Sequence, residues 1–548
     1  MKPIILFLSM LLIAIGIQAQ HITTDTAYLP SLYQANIGNV FFTDRDIPLK
    51  DLSEKDFLRN YTLTNKSKLF INVFMANPLT HYLRRLAPDL PTDSLVKNGN
   101  YQFTMLVDKQ PVYQSNLNPG APNAITQDTA RSILRPLIDM DHEDEWWTQF
   151  FWNRFMRNGG DKALTEGAHL LKLEIRPWLR IDGNVKTGDL IASGEIPVMV
   201  KRKPAIDTAA VQLNSIKPYD GFDVSKEPFN SGRIKELKGY IDAGVFKHIN
   251  GIVVIKNGKL LIEEYFNGES RQSLHDPRSV GKSFASSLTG IAIRDGWLKN
   301  ESHTLKEFYD LHNYDNYSLL KASATIRELL TMSSIFDGDD NTDSPGNEEN
   351  MYPTTDWVKF ALDLPADTGR PSGQWHYFTA GVVVLGDILN NKVPGGLEKY
   401  ADRKLFEPLH ISQREWQYTP QHVPSTAGGI RLRALDLAKY GQLYKNGGRW
   451  KGRQLIPEEW IRKSFAKQKA IPGQPGEYYG YLFWNKTYEV NGRKYETSYC
   501  SGNGGNKIFV FSNAPLVVVI TASAYGKYYA HPQVDRIMKE FILPAVLH

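Results

Sequence analysis

Cysteine is almost absent: a single Cys500 in 548 residues excludes an internal disulfide, so stability has to come from hydrophobic cores. Cys500 itself has no base partner nearby in sequence and reads as a small buried apolar residue. No Lys/Arg run forms a basic stripe, and a formal charge of +5 is mild for this length, which argues against nucleic acid as a partner. His-Glu-x-x-His and comparable ligand spacings are missing, so neither a metal nor a cofactor is expected. There is no internal repeat and no low-complexity tract. What remains is ordinary for a globular chain, 42% hydrophobic and long enough for two or three domains.

The N-terminus has an apolar run too short to span a bilayer. Met1-Lys2 is followed by Ile4 to Leu8 and further apolar residues to Ile17, about fourteen in all against the ~20 a spanning helix needs. With the small-residue exit Gln18-Ala19-Gln20, this reads as a secretory signal over residues 1–19, cleaved after Ala19. No lipobox cysteine follows. The expectation is an exported protein, periplasmic or secreted, without stable membrane insertion.

Residues 20–202 have the texture of a β-rich module. Leu171, Leu173 and Ile175 alternate with polar residues, and Leu69–Phe74, Tyr101–Val107 and Ile196–Val200 read as further strands, which together predict a sandwich-like domain. Between them, Trp146 and Phe150 stand at i,i+4 in an aromatic segment ending near Gly159-Gly160; helical spacing predicts packing into the core rather than a sugar platform. Residues 203–231 carry Pro204, Pro218, Gly221 and Pro228 among charged residues and read as a linker.

Residues 232–548 carry the chemistry. Val280, Phe284, Leu288 and Ile291 recur at steps of four, four and three, so an amphipathic helix is predicted from about Ser279, ending at Gly296. Ser279 and Lys282 then share one face at the start of that helix. A serine hydroxyl is a poor nucleophile until a nearby basic group accepts its proton, and unpaired N–H groups at a helix start favour developing negative charge. Further along, Asn257-Gly258 between Ile252–Ile255 and Leu260–Ile262 predicts a hairpin. Thr325 and Glu328 make a capping box. Residues 507–511 and 516–520 predict a second hairpin around Ser512-Asn513-Ala514-Pro515.

Ser279-x-x-Lys282, then Tyr377-Phe378-Thr379 ahead of an apolar helix, then Asn503-Gly504-Gly505 before a strand, resembles the class C β-lactamase-like serine hydrolases in order and context. Ala427-Gly428-Gly429 and the helix from Asp436 fit the same resemblance, which begins near Gly232. It implies an α/β domain of β-lactamase/transpeptidase type, an antiparallel sheet flanked by helices with a helical subdomain. It also implies two-step acyl transfer: Ser279 as nucleophile, Lys282 and Tyr377 sharing the general-base role, and the backbone N–H groups of Ser279 and Asn506 as oxyanion hole. Tyr377 would serve as base if Lys282 lowered its pKa. Thr379, Asn503, Gly504 and Gly505 take the substrate-binding positions.

Two positions depart from the family pattern. Thr379 stands where the family has asparagine and is shorter, with one hydroxyl instead of an amide. Asn503 stands where a lysine or histidine would hold a substrate carboxylate; Arg278 and Lys507 are the nearby cations that would compensate. The expected activity is hydrolysis of a small ester, amide or peptide. The alternatives are a cell-wall or peptide amidase and a catalytically silent penicillin-binding-like protein, with a cell-envelope partner left open for the N-terminal module. His275 and His376, close to the motifs, read as hydrogen-bonded wall residues rather than bases. Trp375 and Tyr499 read either as an acyl-pocket lining or as packed rings.

Overall fold

The computed structural model describes residues 31–119, 124–140, 142–143 and 145–547; the signal expected over residues 1–19 lies outside them. Two compact units divide after Pro204.

The first unit is β-rich, as its alternating sequence predicts. Val40–Thr43, Lys68–Phe74 and Ser132–Asp139 form one antiparallel sheet. A second sheet runs in the order Tyr61–Leu63, Ala192–Val200, Gly167–Ile181, Gly99–Val107 and Gln110–Asn116, with Asn184–Thr187 paired to the long Gly167–Ile181 strand. Leu171, Leu173 and Ile175 are buried while their neighbours in sequence are half-exposed, the period-2 pattern of a one-faced strand. The aromatic segment packs inward as expected: Trp147, Phe150, Phe151, Trp152 and Phe155 are buried. Trp146 is exposed, with its ring stacked on Phe150 at 5.0 Å.

The second unit begins at Ala205, so most of the predicted linker belongs to a folded body. Val224 bridges Leu260, Phe222 is buried edge-on against Trp450, and the Tyr219 hydroxyl donates to Asp436 at 2.9 Å. The proline and glycine content is that of an irregular strap, held by partners far away in sequence.

An eight-stranded antiparallel sheet organises this unit. Its order is Lys259–Tyr265, Ile249–Lys256, Leu516–Ala522, Asn506–Phe511, Arg493–Gly502, Trp484–Val490, Tyr478–Tyr479 and Lys469–Ala470. Both predicted hairpins form, and Asn257-Gly258 adopts positive φ at both residues (50° and 72°), as a tight two-residue hairpin requires. Alternate residues of the inner strands feed two cores. Val253, Ile508, Val510, Val517 and Val519 pack with Phe284, Leu288 and Tyr440 of the helices Lys282–Arg294 and Ala434–Lys445. Ile252, Phe509, Phe511, Val518 and Ile520 face the helices Ser231–Asp242 and Ala530–Arg536 and the C-terminal turns.

The helix behind Ser279 starts as a 3-10 turn, Arg278–Gly281, and continues as Lys282–Arg294. Its stripe Val280, Phe284, Leu288 and Ile291 is at most 1% exposed, and Gly296 closes it at φ 81°. The capping box at Thr325 and Glu328 heads a short helix, Ile326–Leu330, of the helical part. That part also contains Thr379–Lys392, an almost wholly buried helix directly after Tyr377. No described helix is long and apolar enough to cross a membrane.

Candidate active site

Two segments close on the turn that carries Ser279, and glycine is what lets each approach. Gly502, at the end of its strand, lies against the turn before the nucleophile: a Cβ there would sit 1.9 Å from the Pro277 carbonyl oxygen and 3.1 Å from the Ser279 nitrogen. On the other side, Gly428 has φ 132°, and a Cβ would meet the Arg278 oxygen at 2.4 Å. Arg278 itself is held at φ 53°, a left-handed conformation that costs a non-glycine residue ~1 kcal/mol. Asp276 holds that turn, accepting the Arg278 backbone N–H at 3.0 Å and pairing with its guanidinium at 3.2 Å. Ser279 is thereby fixed, half-buried, at the head of its helix.

Lys282 is 1% exposed, and its Nζ donates to Ser279 Oγ at 2.7 Å and to the Ala427 carbonyl at 2.6 Å. It forms no ion pair among the described residues, so its amino group is oriented by neutral acceptors. The Tyr377 ring centre lies 5.3 Å from the same nitrogen. Ser279, Lys282 and Tyr377 are therefore brought together. The expected lowering of the Tyr377 pKa is corrected, however: burial raises it above the ordinary phenol value, and the opposing effects of Lys282 and Ser279 are smaller. Tyr377 is a neutral phenol at physiological pH.

Gly502 pairs with Asn506 across the strand ladder, so the backbone of Asn506 and the nitrogen of Ser279 gather around the same glycine. The Asn506 side chain is turned away, donating to the Asn503 and Ala522 carbonyls at 2.8 Å and accepting the Ala522 N–H. Gly504 and Gly505 occupy the bend with φ 86° and 96°. Asn503 is exposed, and its side chain accepts the Gly526 N–H at 2.9 Å. Thr379 is buried, with its backbone N–H donated to Asp340 at 3.0 Å.

Both cations beside the motif are engaged by other partners. Lys507 is buried on the other side of its strand from Ile508, where it donates to Ser501 Oγ at 2.7 Å and lies 4.8 Å from the Tyr499 ring centre; burial pulls it down to about 7. Arg278 is half-exposed, paired with Asp276 and lying over the Tyr525 ring.

His275 and His376 are buried and neither ring reaches Ser279. Burial holds the His275 imidazole below its ordinary value and pushes His376 down to about 4, its Nδ1 lying 3.3 Å from the Gln374 carbonyl. Trp375 and Tyr499 belong to one aromatic wall whose centre is Trp484, with ring centres 5.4 Å from Trp375, 5.9 Å from Tyr377 and 6.2 Å from Tyr499. Trp484 and Asp340 carry no motif signal. For the first, the aromatic density of residues 478–484 is the one signal the sequence offers. Among the described residues, no cluster of His, Cys, Asp and Glu is arranged to hold a metal ion.

An antiparallel sheet between two helical layers, with a lysine-supported serine at the head of the central helix, is the β-lactamase/transpeptidase-like fold. The family model Beta-lactamase matches residues 239–536, just over half the chain, and the protein belongs to that family. Similar solved structures include EstCE1, a hydrolase with promiscuous acyltransferase activity (15% identity, TM-score 0.46, 56% of this chain and 98% of that one). Others are a penicillin binding protein from Bacillus halodurans (16%, 0.42, 53% and 96%) and a D-stereospecific amidohydrolase from Streptomyces sp. (14%, 0.40, 54% and 95%).

Proposed function

We propose that the protein is an exported serine hydrolase that cleaves an ester or amide through an acyl-enzyme on Ser279. The observation that carries this reading is the 2.7 Å hydrogen bond between Lys282 Nζ and Ser279 Oγ. Lys282 Nζ, 2.7 Å from Ser279 Oγ and steadied by the Ala427 carbonyl at 2.6 Å, is the group within reach of the serine proton. Ser279 Oγ bonds to the substrate carbonyl carbon as its proton passes to Lys282. The tetrahedral oxyanion is held by the N–H groups of Ser279 and Asn506. Collapse breaks the bond to the leaving group, which takes the proton by way of the neutral Tyr377 phenol. Water then attacks the acyl-enzyme carbonyl and gives a proton to Lys282; as the bond to Oγ breaks, that proton passes to Ser279 Oγ and the acid is released.

Substrates without a carboxylate to be recognised suit this site, because Asn503 is neutral and engaged with Gly526. The test is turnover of short-chain p-nitrophenyl esters and of nitrocefin by the mature protein. The reading expects ester hydrolysis that Ser279→Ala abolishes, with nitrocefin nearly untouched; ester turnover surviving in Ser279→Ala would refute it. Export is part of the proposal, and a secreted protein whose mass begins at Gln20 is the expected result.

A further inference from the structure

The Tyr377 loop is gripped at two points by Asp340, far earlier in the chain. The Asp340 backbone N–H donates to the Tyr377 carbonyl at 2.8 Å, and its Oδ2 accepts the N–H of Thr379, two residues further on, at 3.0 Å. Its Oδ1 accepts the Glu348 N–H at 2.8 Å. One carboxylate thus heads both Thr379–Lys392, whose first turn has no side-chain cap of its own, and the short helix Glu348–Met351. The donor from Thr379 is its backbone N–H, which the side chain at that position does not alter.

We propose that Asp340 is the positioning residue for Tyr377: it holds the chain at the Tyr377 carbonyl and again two residues on at the Thr379 N–H, and protonation of its carboxylate loosens the second hold. A carboxylate accepts backbone N–H groups about twice as strongly as a neutral acid does. Burial raises the Asp340 carboxyl to about 6, so its charge changes within the working range of pH. The ionisable groups around it are Glu348, which raises it further, and Lys282, which lowers it, with the phenols of Tyr377 and Tyr352 adjoining. The neighbouring Asp339 is turned to its own loop, accepting from Asn341. The proposal rests on the hydrolase reading for what Tyr377 does, but not for how it is held.

The experiment has one arm without catalysis and one with it. Protein labelled with 3-fluorotyrosine is titrated by fluorine NMR, the Tyr377 signal being assigned by its loss in Tyr377→Phe. The signal is expected to move with a midpoint near pH 6 in the wild type and to stay fixed in Asp340→Asn. In the second arm, wild-type kcat for p-nitrophenyl acetate falls below that midpoint, whereas Asp340→Asn runs at about a tenth of the wild-type high-pH plateau with KM unchanged, so that the gap between them closes as the wild type is acidified. A Tyr377 signal that stays still from pH 5 to 8 in the wild type, or one that still moves near pH 6 in Asp340→Asn, overturns the proposal. If the signal moves but no ester is turned over, the hydrolase reading fails and the positioning role stands. Should Asp340→Asn not fold, Asp340→Glu must displace the midpoint, and an unmoved midpoint overturns the proposal.

Discussion

Gly502→Ala tests whether close backbone packing is what holds the nucleophile in place. The added Cβ would lie 1.9 Å from the Pro277 carbonyl oxygen, where a close C···O contact needs ~3.3 Å, so the strand end and the Ser279 turn must part by more than ~1 Å. Backbone faces backbone there, and no side chain can swing aside. The same movement carries the Ser279 nitrogen, 3.1 Å from that Cβ, away from Asn506 and disturbs the 2.7 Å bond to Lys282. Misplacement by ~1 Å costs on the order of 100-fold in rate, and overpacking of this kind destabilises by about 1–3 kcal/mol. The control is Gly492→Ala, at φ 74° with nothing within 4 Å, which pays ~1 kcal/mol of backbone strain and leaves the site alone. Paired measurements of kcat for ester hydrolysis and of thermal unfolding decide the matter. The expected result is a collapse of kcat in Gly502→Ala alone, beyond what its stability loss explains. Wild-type kcat and unfolding temperature in Gly502→Ala would refute the packing argument.

Lys282→Ala should lower kcat by roughly 10²–10⁴, the span of general-base contributions. Because the Tyr377 phenol is raised, activity should show no alkaline step below pH ~10 assignable to it; such a step, if Tyr377→Phe removed it, would restore the phenolate-base assignment. The Cys500 thiol, buried and pushed up to about 12, should resist iodoacetamide at pH 8 until the protein is denatured, as counted by mass spectrometry. His376, buried and pushed down to about 4, binds its proton more readily when unfolded. Its contribution is therefore present above pH 6.5 and lost as pH falls toward 4, on the order of 3 kcal/mol. Urea unfolding of the wild type and His376→Gln at pH 7.5 and pH 5 should show the gap between them closing at the lower pH.

Where the determining interactions are local, the sequence was enough. The stripe from Val280 to Ile291, the Asn257-Gly258 turn and the Thr325 capping box each depend on residues within a few positions, and each forms. Ser279 and Lys282 meet because a helical turn puts them together. Tyr377 joins them only through folding, and its place was legible by family resemblance alone. The direction of its pKa was not, since burial is set by surroundings that the local sequence does not reveal. Residues 205–231 were misread as linker for a similar reason: prolines and glycines mark irregular backbone, but Trp450 and Leu260, which hold Phe222 and Val224, lie elsewhere in the chain. Asp340 was invisible as an isolated acid among several, and it acquires its role only where two helix starts converge on it.

The central claim is that Ser279 is an activated nucleophile, and covalent labelling tests it most directly. The mature protein and Ser279→Ala are treated with a fluorophosphonate probe, and the labelled peptide is located by mass spectrometry. The account predicts one adduct per chain, on Ser279, slowed strongly in Lys282→Ala and absent from Ser279→Ala. A folded wild-type protein that takes up no probe, or takes it up equally in Ser279→Ala, would contradict it.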